Sequence, residues 1–229
     1  MTQQKDGHGL QGGHGHGPGA AGGAAHGRDR FKNPKHFSAY LARLLARSRD
    51  AWQKPDRVVR ALGIVPGSVV GEIGAGPGYF TGRLAKAAGR AGRVYAADPV
   101  PAMLERLRAR MRSRRVGNVT PVLCESDDPM LPLRSCDLLF MVNVFHHVPR
   151  PARYLRALGR FLRPGGRVVI IEFQRRDLPV GPPVEEKIGR ASFLRIVRNA
   201  GYKAAREHMF LPYQFMFELW GSGTRATGK

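Results

Sequence analysis

Apolar positions along the chain fall into two patterns. Phe37, Tyr40, Leu41, Leu44 and Leu45 fall at i, i+3, i+4, i+7 and i+8, the stripe of an amphipathic helix. Trp52-Gln53-Lys54-Pro55-Asp56 opens a second, short helix with Pro55 in its first turn. Its apolar face carries Val58, Val59 and Leu62, and Gly63 can cap its end. From residue 69 onward short apolar runs of strand length, at Val69–Ile73, 94–98, 119–124, 138–143 and 168–173, alternate with helices near 78–88, 101–115 and 150–162. Such alternation implies parallel strands joined by right-handed crossovers. A Pro/Gly-rich loop at 178–183 follows, then a helix near 185–200 ended by Asn199-Ala200-Gly201. The segments 203–208 and 213–220 close the chain as an antiparallel hairpin. The fold class predicted is α/β: a Rossmann-like, doubly wound, mostly parallel sheet with an antiparallel terminal hairpin, in three α/β/α layers.

Composition changes this picture mainly at the ends. Residues 7–27 are Gly/His/Ala-rich and offer almost nothing to bury, so residues 1–30 are expected to be a disordered tail. Its histidines His8, His14, His16 and His26 give it incidental affinity for divalent metal rather than a specific site. Residues 31–220 are expected to form one domain, with 31–63 as a helical lid, and 221–229 a flexible tail. A chain of 229 residues suits one filled α/β domain with an appendage. No apolar run reaches the roughly 18–20 residues that span a bilayer, and the start has no apolar signal core; a cytoplasmic location follows by default. Cys124 and Cys136 form no CxxC pair and stand in unrelated contexts, so buried, inert thiols are expected and no metal site is indicated.

The formal charge of +21 and pI ≈ 11.3 favour anionic partners in general. The basic residues are mostly arginine and are spread along the chain. The one dense run (Arg106, Arg108, Arg110, Arg112, Arg114 and Arg115) falls on a predicted surface helix with no interleaved aromatics. A solvated face is the favoured reading over nucleic-acid binding.

The sharpest chemical feature is Val69-Val70-Gly71-Glu72-Ile73-Gly74-Ala75-Gly76-Pro77-Gly78-Tyr79-Phe80, a strand running into a glycine-dense turn that opens a helix. Glycines Gly74, Gly76 and Gly78 permit positive φ and close ligand approach, at the sheet edge where ligands of this architecture bind. Three details argue against a dinucleotide. The spacing is GxGxG, with Tyr79-Phe80 where the pyrophosphate fingerprint wants glycine. The Glu72 carboxylate would repel pyrophosphate but can hydrogen-bond, directly or through water, a cationic amino-acid group. Pro77 removes one N–H. The charge logic selects S-adenosylmethionine (SAM), a cation without phosphate.

On these residues the chain resembles the class I SAM-dependent methyltransferases. The resemblance implies SAM as cofactor and a ribose contact from Asp98, at the end of Tyr95-Ala96-Ala97-Asp98. It places an adenine contact in Glu125-Ser126-Asp127-Asp128-Pro129-Met130-Leu131-Pro132, with Asp127 the first choice and Glu125 behind it. Cys136 to Val148 and the run Leu158-Gly159-Arg160-Phe161-Leu162-Arg163-Pro164-Gly165-Gly166-Arg167-Val168 are similar to the strand-four motif and strand-five turn of the ubiquinone/menaquinone-biosynthesis-type branch. Asn143, ending the fourth strand, is placed among the cofactor contacts. The resemblance spans residues 55–220.

Methyl transfer from a sulfonium is a direct displacement, so the protein contributes mainly binding, orientation and electrostatics. A hydroxyl acceptor needs a general base. His146 or His147 is the candidate, with Glu172 at the end of the fifth strand the second catalytic candidate. The expected partner is a small-molecule acceptor, held by Tyr40, Leu44, Trp52 and the aromatic segment 210–215. RNA or protein methylation is the rival, weakened because Asn143-Val144-Phe145-His146 lacks the (Asn/Asp)-Pro-Pro-(Tyr/Phe) element of amino-group methylating enzymes. A non-catalytic module binding SAM or nucleic acid is the alternative outside enzymes.

Overall fold

The change of apolar pattern near residue 69 marks the change from helices to an alternating strand–helix chain. The computed structural model describes residues 34–221. The Gly/His-rich stretch with its four histidines and residues 222–229 lie outside the described residues. In chain order come α1 (Pro34–Leu45), α2 (Arg49–Gln53), α3 (Pro55–Ala61), β1 (Val69–Ile73), α4 (Thr81–Ala88), β2 (Arg93–Asp98), α5 (Pro101–Ser113), β3 (Val119–Leu123) and β4 (Cys136–Val142). Then follow α6 (Pro151–Leu158), β5 (Leu162–Phe173), α7 (Arg190–Asn199), β6 (Tyr202–His208) and β7 (Gln214–Gly221). The strands form one seven-stranded sheet in the order β3-β2-β1-β4-β5-β7-β6. Neighbours from β3 to β5 are parallel, and β7 runs antiparallel to both β5 and β6. This is the doubly wound arrangement expected from the sequence.

Successive side chains of a strand face opposite sides, and here both sides are covered. Leu139 and Met141 of β4, with Val168 and Ile170 of β5, pack under Tyr154, Leu155 and Leu158 of α6 and Phe193 and Val197 of α7. Leu138 and Phe140, with Val169 and Ile171, pack on the other side under Val58, Leu62, Leu84 and Ala85, from α3 and its end and from α4. Strands buried on both faces read as continuous apolar runs, which is why these did. On α5 the residues Met103, Leu104, Leu107 and Met111 face the core; Arg106, Arg108, Arg112, Arg114 and Arg115 are exposed and Arg110 is half-buried. Cys124 and Cys136 are free and buried. Among the described residues no helix is long and apolar enough to cross a membrane.

Boundaries differ where turns intervene. Trp52 and Gln53, expected to open the second helix, instead close α2. Lys54 takes left-handed backbone (φ 46°) and Pro55 starts α3. Proline disfavours the α conformation in the residue before it, which splits the helix at that point. The helix expected from 185 begins at Arg190, after a 3-10 turn at Val184–Glu186. β5 begins at Leu162, so the Pro-Gly-Gly turn lies within the strand, with a bulge opposite Cys136 to Leu138.

Candidate active site at the carboxyl edge of the sheet

β1 delivers Glu72 and Ile73 to the carboxyl edge, and the chain turns through Gly74 (φ 72°), Gly76 (φ 54°) and Gly78 (φ 84°). A β-carbon on Gly74 would stand 2.2 Å from Val144 Cγ2, so close packing and backbone conformation both require glycine. The N–H groups of the loop are already engaged. Gly74 and Ala75 donate to Ala97 O, Gly76 to Asp98 Oδ2 at 2.8 Å, and Gly78 to Ala75 O. Pro77 has no N–H, so none is free between residues 74 and 78 to cradle a phosphate. Two buried acids, Glu72 and Asp98, flank the turn. The residues present fit a cationic, phosphate-free ligand such as SAM.

The electrostatics around Glu72 are unusual. Burial pushes its carboxyl up to about 8, opposed by a hydrogen bond from Thr81 and reinforced by Asp98. Asp98 is likewise raised by burial, although Val100 and Gly76 N–H groups donate to it. Arg49 of α2 lies with its guanidinium 4.0 Å from the Tyr79 ring centroid. Burial lowers Arg49 to about 10, while Tyr79, Tyr40, Asp50 and Glu72 act in the other direction. Tyr79 donates to Asp50 Oδ1, and Arg83 of α4 pairs with Asp50 and Asp56, so the N-terminal helices are docked on the glycine turn. Arg49 and Thr81 were not singled out from the sequence. Arg49 falls in the gap between two apolar patterns, where no periodicity marks it.

Beyond β3 the acidic segment is mostly at the surface. Asp127 has a side chain 57% exposed and lies 3.7 Å from Arg150. Glu125 N–H donates to Asp128 O, and Asp128 pairs with Arg160. The buried neighbour there is Cys124, whose thiol burial pushes up to about 12, with Asp98, Glu125 and Asp128 adding to the shift.

The two catalytic candidates from the sequence come together. His146 Nδ1 stands 2.8 Å from Glu172 Oε2, with side chains 6% and 2% exposed. Glu172 Oε1 accepts the Phe145 and His146 backbone N–H groups, so the carboxylate fixes the turn that carries the histidine. Burial lowers His146, but the hydrogen bond and charge of Glu172, with Glu186, outweigh it and leave the imidazole raised. His147 is exposed, its ring centroid 4.0 Å from that of His146. Asn143 leaves β4 with φ 56°, and its side chain meets Gln214 of β7. Of the residues expected to hold an acceptor, Trp52 and Tyr213 do share one cluster: the Trp52 ring centroid lies 5.6 Å from that of Phe173 and 6.3 Å from that of Tyr213. Phe215 is instead a core residue against Phe193, and Leu211 is buried.

A sheet of this order with a glycine turn, paired acids and no phosphate cradle at its carboxyl edge fits a class I SAM-dependent methyltransferase. The methyltransferase domain family matches residues 71–170. A SAM-dependent methyltransferase from Aquifex aeolicus superposes with TM-score 0.75 at 26% identity, over 79% of this chain and 96% of that one. Magnesium protoporphyrin IX methyltransferase from Synechocystis, solved with bound SAM, shares the fold at TM-score 0.65 and 20% identity, over 89% and 99% of the two chains. More particularly, part of the chain is similar to the ubiquinone/menaquinone biosynthesis C-methyltransferase UbiE. That protein of Vibrio vulnificus is 31% identical over 132 residues, 57% of this chain and 50% of its own. An uncharacterized 37.1 kDa protein of a Streptomyces fradiae transposon is 37% identical over 145 residues, 61% of this chain and 41% of its own. The chain thus spans about half the length of the curated relatives it matches.

Proposed function

We propose that the protein transfers the methyl group of SAM to a hydroxyl-bearing small molecule, with His146 as general base and Glu172 as the residue that orients it. The observation that carries this reading is the buried His146–Glu172 pair at the ends of β4 and β5. It lies beside the turn in which Val144 packs on Gly74. SAM, when bound, supplies an electrophilic methyl on a sulfonium. Glu172 accepts from Nδ1–H, which leaves the Nε2 lone pair of His146 to take the acceptor's hydroxyl proton. Glu72 and Arg49 together suit a zwitterion, the first toward the ammonium and the second toward the carboxylate of the cofactor's amino-acid part. Gly74, Gly76 and Gly78 line the approach, and Asp98 takes the ribose hydroxyls, its oxygens retaining lone pairs beyond the two N–H bonds. Cys124 walls the adenine side, with Asp127 at the rim. The Trp52–Phe173–Tyr213 cluster supports an apolar, ring-bearing acceptor. The names of the UbiE relatives, C-methyltransferases of ubiquinone/menaquinone biosynthesis, support a quinone-like acceptor methylated at carbon, which a hydroxyl deprotonated by His146 would activate.

The test is to incubate the protein with methyl-labelled SAM and a cell metabolite extract and identify the labelled products by mass. A hydroxyl-bearing small molecule should gain the label, more slowly with His146→Ala. Label recovered solely in RNA or protein would overturn the reading.

A further inference from the structure

Four side chains from three parts of the chain form one hydrogen-bonded line. Arg49 Nε donates to Gln53 Oε1 at 2.5 Å, Gln53 Nε2 to Gln214 Oε1 at 2.9 Å, and Gln214 Nε2 to Asn143 Oδ1 at 2.6 Å. Gln53 and Gln214 are 0% and 2% exposed, so water cannot replace a lost partner. The line has a direction. A guanidinium has donors and no acceptor, so Gln53 has to present its oxygen to Arg49. Its amide nitrogen then faces Gln214, which has to answer with oxygen, and the nitrogen of Gln214 in turn faces the oxygen of Asn143. Reversing any one amide would set donor against donor in a dry site, which buried polar groups avoid. The orientation of Asn143 is therefore set from α2, three residues away along the line.

Asn143 stands between the two halves of the candidate site. Its backbone N–H is held by Ile171 O at 2.9 Å, the next residue packs on Gly74, and the two after that donate N–H groups to Glu172. The residue is half-buried, and among the described residues its Nδ2 has no hydrogen-bond partner.

From this we infer that Asn143 selects the acceptor as a fixed hydrogen-bond donor, and that Gln214 and Gln53 are positioning residues that set its polarity. The acceptor it fits presents an oxygen lone pair at the reacting group, a phenol or enol whose oxyanion the Asn143 amide N–H stabilises once His146 has taken the proton. An amine, which needs Asn143 to offer oxygen, meets an N–H instead and is disfavoured. This rests on the proposed methyl-transfer reading and goes beyond it, assigning Asn143 to the acceptor in place of the cofactor contact expected from the sequence.

The full chain saturated with S-adenosylhomocysteine tests the idea by titration with 4-nitrophenol and 4-nitroaniline at pH 8, read by absorbance and calorimetry. The wild type should bind the phenolate about tenfold or more tighter than the aniline. Gln214→Glu makes position 214 acceptor-only, so Asn143 turns its nitrogen toward it and its oxygen toward the site; the preference should fall by about tenfold. Asn143→Asp keeps the bond from Gln214 while replacing the free amide nitrogen by oxygen, and should do the same if Gln214→Glu fails to fold. Either new carboxylate also repels a phenolate, so 4-nitroacetophenone, neutral with an oxygen acceptor, is compared with the aniline as well; a merely structural role would leave that second ratio unchanged. Equal binding of the probes by the wild type, binding of neither, or an unchanged second ratio in both variants would overturn the inference. In each of those cases stabilisation by S-adenosylhomocysteine would persist, and its absence in the wild type would instead sink the cofactor reading, and this one with it.

Discussion

The two halves of the carboxyl edge are built from different materials. The β1–α4–β2 side offers a proposed ligand backbone and two acids at the ends of adjacent strands: Glu72, the turn Gly74 to Gly78, and Asp98. Every N–H of that turn is tied, Gly78 within the turn and Gly74, Ala75 and Gly76 to the end of β2, so its shape is a property of one strand–helix–strand unit. On the β4–β5–β7 side the working groups are side chains from distant positions. Gln53 and Gln214 are 161 residues apart, and His146 meets Glu172 across a crossover. The half proposed for the cofactor is thus a backbone framework within one strand–helix–strand unit, whereas the half proposed for the acceptor is an assembly of side chains that also draws on α2 and β7. Such a division suits an enzyme type that keeps one cofactor and varies its acceptor.

The largest expected effect strikes the local half. Gly74→Val puts a branched side chain at φ 72° and into Val144, a cost of roughly 2–5 kcal/mol from strain and overpacking combined. Stabilisation by S-adenosylhomocysteine should vanish in a thermal-shift assay. Retained stabilisation would show that the turn is more plastic than its packing implies.

Next comes the base. His146→Ala should lower turnover on the true acceptor by about a hundredfold or more. With the wild type, turnover should rise with pH through a value above the ordinary 6.5 of histidine, because Glu172 favours the protonated form that cannot act as base. Glu172→Gln removes that charge, so the inflection should move to lower pH as turnover falls. A variant profile that stays put would detach Glu172 from the base.

A gentler effect separates the acids. Glu72, raised to about 8, carries its proton in the free protein at neutral pH. An ammonium group prefers the anion, so ligand binding releases the proton. The affinity for S-adenosylhomocysteine should tighten between pH 6 and 8, by at most about tenfold per unit, and level off above. Glu72→Gln should flatten that dependence; calorimetry in buffers of different ionisation enthalpy would detect the missing proton release.

The smallest effect falls at the rim. Asp127→Asn breaks only an exposed pair with Arg150, and the affinity for S-adenosylhomocysteine should change by at most about fivefold. A larger loss would bring Asp127 back to the adenine as a direct contact.

What the order of residues determined by itself was everything that depends on near neighbours. The alternation of short apolar runs with amphipathic stretches set the five parallel strands and their crossover helices, and the continuous apolar character of β4 and β5 matches a sheet covered on both faces. The turn of three glycines, with Glu72 and Asp98 at the strand ends beside it, was legible because backbone conformation leaves marks at fixed spacing. His146 and Glu172 were legible one at a time, each as a polar group at a strand's carboxyl end. That they form a single unit was decided by the sheet, which puts β5 beside β4 in parallel. The split of the second helix at Pro55 turned on one residue's backbone. Arg49, Thr81, Gln53 and Gln214 left no mark, because a buried arginine or glutamine in a one-dimensional pattern looks like an exposed one. Their roles come from burial and from the donor or acceptor that faces them, and only the folded chain brings those partners within hydrogen-bond reach.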